Sequence, residues 1–143
     1  MNNSLNLIDF GIIGDQLPIG ELLHSSYKRG KDDVIKEIEA DFQKNLQSAA
    51  QSSSLLKSKL NEQNIEVKDM YLKVDHFSSF KCLVILAKND YYDKTKRRKA
   101  YSISEEINKT NNQIELDFSI MSFSKMIEVD NITSDGFILK YGS

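Results

Sequence analysis

The chain of 143 residues holds one cysteine, one proline, two histidines and six glycines, and most of these scarcities close off a class of function. A lone thiol, Cys82, cannot form an internal disulfide, and one cysteine with His24 and His76 cannot build a Cys/His zinc site within one chain. Cys82 also stands in the most apolar stretch of the sequence, where it reads as a core thiol rather than a reactive one. The single proline, Pro18, suits the start of a short helix and leaves the long periodic segment after it uninterrupted. Neither sign of charge is in large excess: the net charge is −2, so no global field draws the chain to nucleic acid or acidic lipid, and any such attraction must be local. The opening residues have no basic region, and Asp9, Gly11, Gly14 and Asp15 interrupt their apolar residues. That pattern is neither a signal peptide nor a spanning helix. A cytoplasmic protein with no membrane segment is expected, in which the sequons at Asn2, Asn108 and Asn131 carry no sugar.

What is present is a globular composition, 40% apolar and 28% charged, in a length that suits one domain with one core. The six apolar residues from Cys82 to Ala87 offer water no polar face, so residues 80–87 are expected to be an interior strand covered on both sides. The β-branched Val84 and Ile85 favour strand over a core helix, and Ser78-Ser79 and Asn89-Asp90 mark turns on either side. Before this strand, Met70, Leu72 and Val74 alternate with Tyr71, Lys73 and Asp75. The short link of residues 76–79 makes the two strands an antiparallel hairpin.

Asp32 or Asp33 can cap a helix whose apolar stripe runs Val34, Ile38, Phe42, Leu46, Ala49, Leu56 and Leu60. Serine is only mildly unfavourable in a helix, so the cluster at 52–54 is expected to lie within one continuous helix ending near Gln63. A second helix, capped by Asp93, presents Ala100, Ile103 and Ile107 on one face. Residues 114–120 alternate strictly as a third strand, with Glu115, Asp117 and Ser119 on its second face. A short helix or turn is expected around residues 125–129, then a turn at Asp135-Gly136 and a short strand or tail over 137–141. The fold class is therefore α+β: helices packed on a small mixed sheet, residues 31–143 forming one domain behind an apolar arm at 1–30. That arm, with Leu5, Leu7, Ile8, Phe10, Ile12 and Ile13, either folds over the chain's own core or docks on a protein partner or a second copy.

Few groups promise chemistry. Gly11-Ile12-Ile13-Gly14 lacks the Lys-Ser/Thr of a phosphate loop, and no Gly-x-Ser-x-Gly elbow occurs. His76 in the hairpin link, beside Asp75, is an alternative acid or base, and Asp117 an alternative arm of a magnesium site that needs partners. The one charge anomaly is Lys94, Lys96, Arg97, Arg98 and Lys99, placed against the helix macrodipole. It reads either as a solvated face or as a phosphate-binding patch with Tyr91, Tyr92 and Tyr101 near enough to stack on bases.

The order helix, strand, strand, helix, strand over residues 65–141, with Asp117 in the third strand, Leu83-Val84-Ile85 in the second and Asp-Gly-Phe-Ile-Leu-Lys-Tyr near the end, resembles the minimal, antitoxin-type nucleotidyltransferases. The resemblance implies an Asp-x-Asp pair opening the second strand and a Gly-Ser turn before it. This chain has Ser79-Phe80-Lys81-Cys82 and His76-Phe77-Ser78-Ser79 at those places. It therefore implies the scaffold without the paired acids that hold the magnesium ions. The expectation is a non-catalytic binding domain with no cofactor and no metal, its slightly negative charge favouring a protein partner over nucleic acid. The alternatives are a magnesium-dependent nucleotidyl- or phosphoryl-transfer enzyme built on Asp117, Asp75 and His76, and a nucleic-acid-binding module built on the basic run.

Overall fold

A computed structural model of the chain describes residues 10–12, 32–111 and 113–142. Among them, five strands form one mixed sheet, β1 (Phe10–Ile12), β2 (Val67–His76), β3 (Ser79–Leu86), β4 (Glu115–Ser122) and β5 (Leu139–Tyr141), in the spatial order β1-β5-β2-β3-β4. Four helices accompany them: α1 (Asp32–Glu62), α2 (Lys88–Tyr91), α3 (Lys94–Thr110) and α4 (Val129–Ser134). The α+β class, the hairpin of β2 and β3 and the mixed character of the sheet are as the residue pattern requires. None of these helices is long and apolar enough to cross a membrane.

Helix α1 runs unbroken for 31 residues. Phe42, Leu46, Ala49, Ala50, Ser53, Leu56 and Leu60 are buried along one stripe. The serine cluster does not interrupt it, and buried Ser53 donates its hydroxyl to the Ala49 carbonyl at 2.8 Å, one turn back along the same helix. The helix ends in a Schellman turn. Asn64 takes a positive φ of 60°, the Ile65 N–H reaches the Leu60 carbonyl at 2.9 Å and the Asn64 N–H the Asn61 carbonyl at 3.1 Å, and buried Ile65 closes over buried Leu60.

Strand β3 lies inside the sheet, antiparallel to β2 and parallel to β4. Its two faces meet different neighbours. Phe80, Cys82, Val84 and Leu86 enter the main core with Met70, Leu72, Ile120, Leu139 and the α1 and α3 stripes. Ile85, with Leu83 against it, joins Tyr71, Ile132, Met121 and Phe137 in a smaller cluster on the other face. The second face is apolar only toward the end of β3. Nearer its start the register sets Lys73, Lys81 and Asp117 side by side on β2, β3 and β4.

One detail differs from expectation and two open alternatives are decided. Asn89-Asp90 belongs to the one-turn helix α2 rather than to a simple turn, because the Tyr91 N–H bonds the Ala87 carbonyl at 2.9 Å. Residues 125–126 form only a turn, in which Ser124 Oγ accepts the Met126 N–H at 3.1 Å, and the helix begins at Val129. The C-terminal segment is a true strand, entered through Gly136 at φ 101°, where a Cβ would stand 2.9 Å from Lys73 Cε. Of the arm at 1–30, only Phe10–Ile12 is described. It pairs antiparallel with β5, and Phe10 is buried with its ring edge-on to Tyr141 at 5.6 Å. The rest of that expectation lies outside the described residues.

Candidate ligand-binding clefts

Two clefts open at opposite ends of the parallel pair β3 and β4. The one at their amino ends, about 430 Å³, is lined by Asp75, Ser79, Lys81, Asn108, Glu115 and Asp117 among others. Parallel pairing is what gathers these residues, since Lys81 sits directly opposite Asp117 and Ser79 opposite Glu115. Two of the three groups considered for catalysis, Asp75 and Asp117, thus share one cleft, while exposed His76 is not among its lining residues. Asp75 is already matched by two cations: Lys73 Nζ lies 3.8 Å from one of its oxygens and Lys81 Nζ 3.7 Å from the other. Among the described residues, no three His, Cys, Asp or Glu side chains come together to form a cage for a metal ion. Cys82 is fully buried, and burial pushes its thiol up to about 12 against a smaller opposing pull from Ser53, so it is an unreactive core group.

The second cleft, about 570 Å³, lies where β3 and β4 end and α2 begins, and its walls are Lys88, Tyr91, Tyr92, Met121, Ser122, Phe123, Ser124 and Lys125. The Tyr91 and Tyr92 rings meet edge to face, centroids 5.1 Å apart at 89°, an arrangement the ring quadrupoles favour. Behind them Arg97 holds its guanidinium 5.5 Å from the Tyr91 centroid and donates to the Tyr91 carbonyl at 3.4 Å. Tyr92 itself is 64% exposed. On the opposite wall the Phe123 N–H bonds the Leu86 carbonyl at 2.7 Å, continuing the β3–β4 ladder, and Lys68 Nζ lies 5.5 Å from the Phe123 ring centroid.

The basic run at the start of α3 divides by role. Asp93 caps the helix by accepting from the Thr95 and Lys96 N–H groups at 3.0 and 3.1 Å. Lys96 then turns back, donating to Asp90 Oδ1 at 2.9 Å and to the Asn64 carbonyl at 3.0 Å. Asp90 accepts the Glu66 N–H at 2.7 Å with its other oxygen. That backbone bond, ahead of the Lys96 ammonium and against a smaller effect of burial, holds the Asp90 carboxyl below its ordinary value. Lys96 is therefore a tie between α3, α2 and the α1–β2 corner, and Arg97 is the backing of Tyr91, whereas Lys94, Arg98 and Lys99 are exposed. Lys88, Phe123 and Lys125 escape a reading of the sequence because they come from segments more than thirty residues apart in the chain. Only the parallel register, with Leu86 opposite Ser122, joins them.

No protein-family model matches the chain, and neither a curated protein nor a solved structure matches it significantly.

Proposed function

We propose that the chain is a non-catalytic binding domain whose ligand carries both a flat ring and phosphate, the chemistry of nucleotides and nucleic acids, and that it binds in the cleft at the carboxyl ends of β3 and β4. The observation that carries this reading is Tyr92: a large ring left 64% exposed, fixed edge-on by Tyr91, in a cleft with a lysine on each wall. A ring held in one orientation gives a base a stacking surface at little entropic cost, and Lys88 and Lys125 supply the counter-charge for phosphate. In open parallel sheets ligands bind at the carboxyl ends of the strands, and the cleft stands at that end of the one parallel pair among the described residues. Asp75 has the Lys73 and Lys81 ammonium groups within 4 Å, and two cations so placed repel a magnesium ion, which speaks for a domain without transfer chemistry. The resemblance of residues 65–141 to minimal nucleotidyltransferases implies a site at the other end, where Ser79 and Asp117 stand without the paired acids, so the carboxyl-end reading rests on the lining of its own cleft and not on the resemblance.

The test is fluorescence anisotropy with a labelled oligothymidylate across a salt series. Binding is expected to weaken steeply with salt, and Tyr92→Ala to lower affinity roughly 5- to 150-fold, the range for losing one stacked base. A salt-insensitive signal, or full affinity in Tyr92→Ala, would rule the cleft out. Incorporation of labelled nucleotide that needs magnesium and is abolished by Asp117→Ala would rule out the non-catalytic reading.

A further inference from the structure

We infer that the ligand is a single-stranded polynucleotide rather than a free nucleotide, its chain continuing out of the carboxyl-end cleft along one flank of α3; this rests on the reading of that cleft given above. The starting point is Arg97, whose guanidinium covers the Tyr91 ring at 5.5 Å and so identifies the side of α3 that adjoins the tyrosine wall. At about 100° per residue, Tyr101 falls roughly 40° from Arg97 around the helix, Lys94 roughly 60° and Arg98 roughly 100°, all turning the same way. The other two cations of the run turn away. Lys96 is committed to Asp90 and Asn64 on the side facing the α1–β2 corner, and Lys99 falls on that same side.

The flank is built like an extension of the cleft. It carries a second exposed ring, Tyr101 at 42%, with Arg98 about one turn before it and Lys94 about two. From Lys94 to Tyr101 the helix rises about 10 Å, the length of roughly three stacked nucleotides at about 3.4 Å each. The basic character then stops, since exposed Glu105 is the next residue on this flank after Tyr101. A free nucleotide reaches Tyr92 and the two cleft lysines and gains nothing from this surface. A strand whose first bases stack at Tyr92 passes its backbone along Lys94 and Arg98 and brings a later base to Tyr101. Two separated rings flanked by cations suit unpaired bases, whose faces are open; a duplex keeps its bases stacked on one another.

The experiment measures affinities of thymidine monophosphate, an oligothymidylate of about eight nucleotides and a hairpin duplex of similar length, at an ionic strength where charges more than about 8 Å apart are screened. The oligomer is expected to bind at least about tenfold more tightly than the monophosphate. Tyr101→Ala is expected to weaken the oligomer roughly 5- to 50-fold and Arg98→Ala about threefold, both leaving the monophosphate within about twofold. Lys99→Ala, the neighbouring cation on the other side, is the matched control and is expected to leave both unchanged. All three positions lie on the helix surface, and far-UV circular dichroism checks that the variants remain folded. Equal affinities for monophosphate and oligomer, with Tyr101→Ala silent, would overturn the track and leave the cleft standing. A Lys99→Ala loss equal to that of Arg98→Ala, or a duplex bound as tightly as the single strand, would also overturn it. Failure of both the monophosphate and the oligomer to bind would overturn the track together with the cleft reading beneath it.

Discussion

The two ends of the β3–β4 pair each open a cleft, and the charges that line the two differ in sign. At the amino end Asp75 lies between Lys73 and Lys81, and Asp117 and Glu115 add two further carboxylates, in register with Lys81 and Ser79. At the carboxyl end, by contrast, the two lysines that line the cleft, Lys88 and Lys125, form no ion pair within 4 Å among the described residues, and the pairing that does occur, Lys96 with Asp90, lies in the scaffold behind the tyrosines. A cleft lined by three carboxylates and one lysine repels phosphate; one lined by unmatched lysines and an exposed ring has both a charge and a surface to offer.

The sharpest way to break this contrast is to reverse the charge of the carboxyl-end cleft. Replacing Lys88 and Lys125 together by glutamate is expected to weaken oligonucleotide binding roughly 25-fold or more near 0.1 M salt, since each lost phosphate contact is worth about fivefold there. Asp117→Lys, which adds a cation at the opposite end, is expected to stay within about twofold at an ionic strength that screens charges more than about 8 Å apart; equal responses measured by anisotropy would dissolve the distinction.

A smaller effect is expected at Asp90. Its carboxyl is held below the ordinary value of 3.8, so the folded state binds its proton less readily than the unfolded state does. The resulting stability is fully present above that value and is lost as pH falls through the lower, folded-state one. Asp90→Asn should cost on the order of 1 kcal/mol at neutral pH, after allowing for solvent access, and should flatten the acid limb of the stability profile. Urea melts at neutral pH and near pH 3 measure both, and an unchanged acid limb would show that the Glu66 and Lys96 bonds contribute little.

The smallest change belongs to Asp75→Asn. Ion pairs at 3.7 and 3.8 Å between partly exposed groups are worth little, so stability should move by no more than about 0.5 kcal/mol and oligonucleotide affinity not at all. A loss of affinity here would place ligand at the wrong end of the sheet.

Local patterning made much of this fold legible before any coordinates. The stripe from Phe42 to Leu60 and the alternation of Met70, Leu72 and Val74 each satisfy one periodicity and fail the other, while the run from Cys82 to Ala87 has no polar face and reads as strand from its β-branched residues. Residues 89–90 misled because Asn-Asp is turn chemistry in isolation, whereas here Asp90 is held by an amide 24 residues earlier. The basic run was visible as a count of five cations. Which of them are free was not, because Lys96 is claimed by groups near residue 64 and Arg97 by an aromatic ring. The carboxyl-end cleft was hidden for the same reason: Lys125 becomes a neighbour of Lys88 only through strand pairing, and no short-range rule encodes that β4 lies parallel to β3.

The Asp90 carboxylate has one more consequence, for measurement rather than for binding. The N–H that donates to it belongs to Glu66, a residue outside the cleft, yet the acceptor sits one position before Tyr91 in the turn that carries both tyrosines. Deuterium uptake at that single amide is therefore a built-in gauge of how often the tyrosine wall lifts from the body of the domain. A ligand that seats against Tyr92 should slow the uptake without ever touching Glu66.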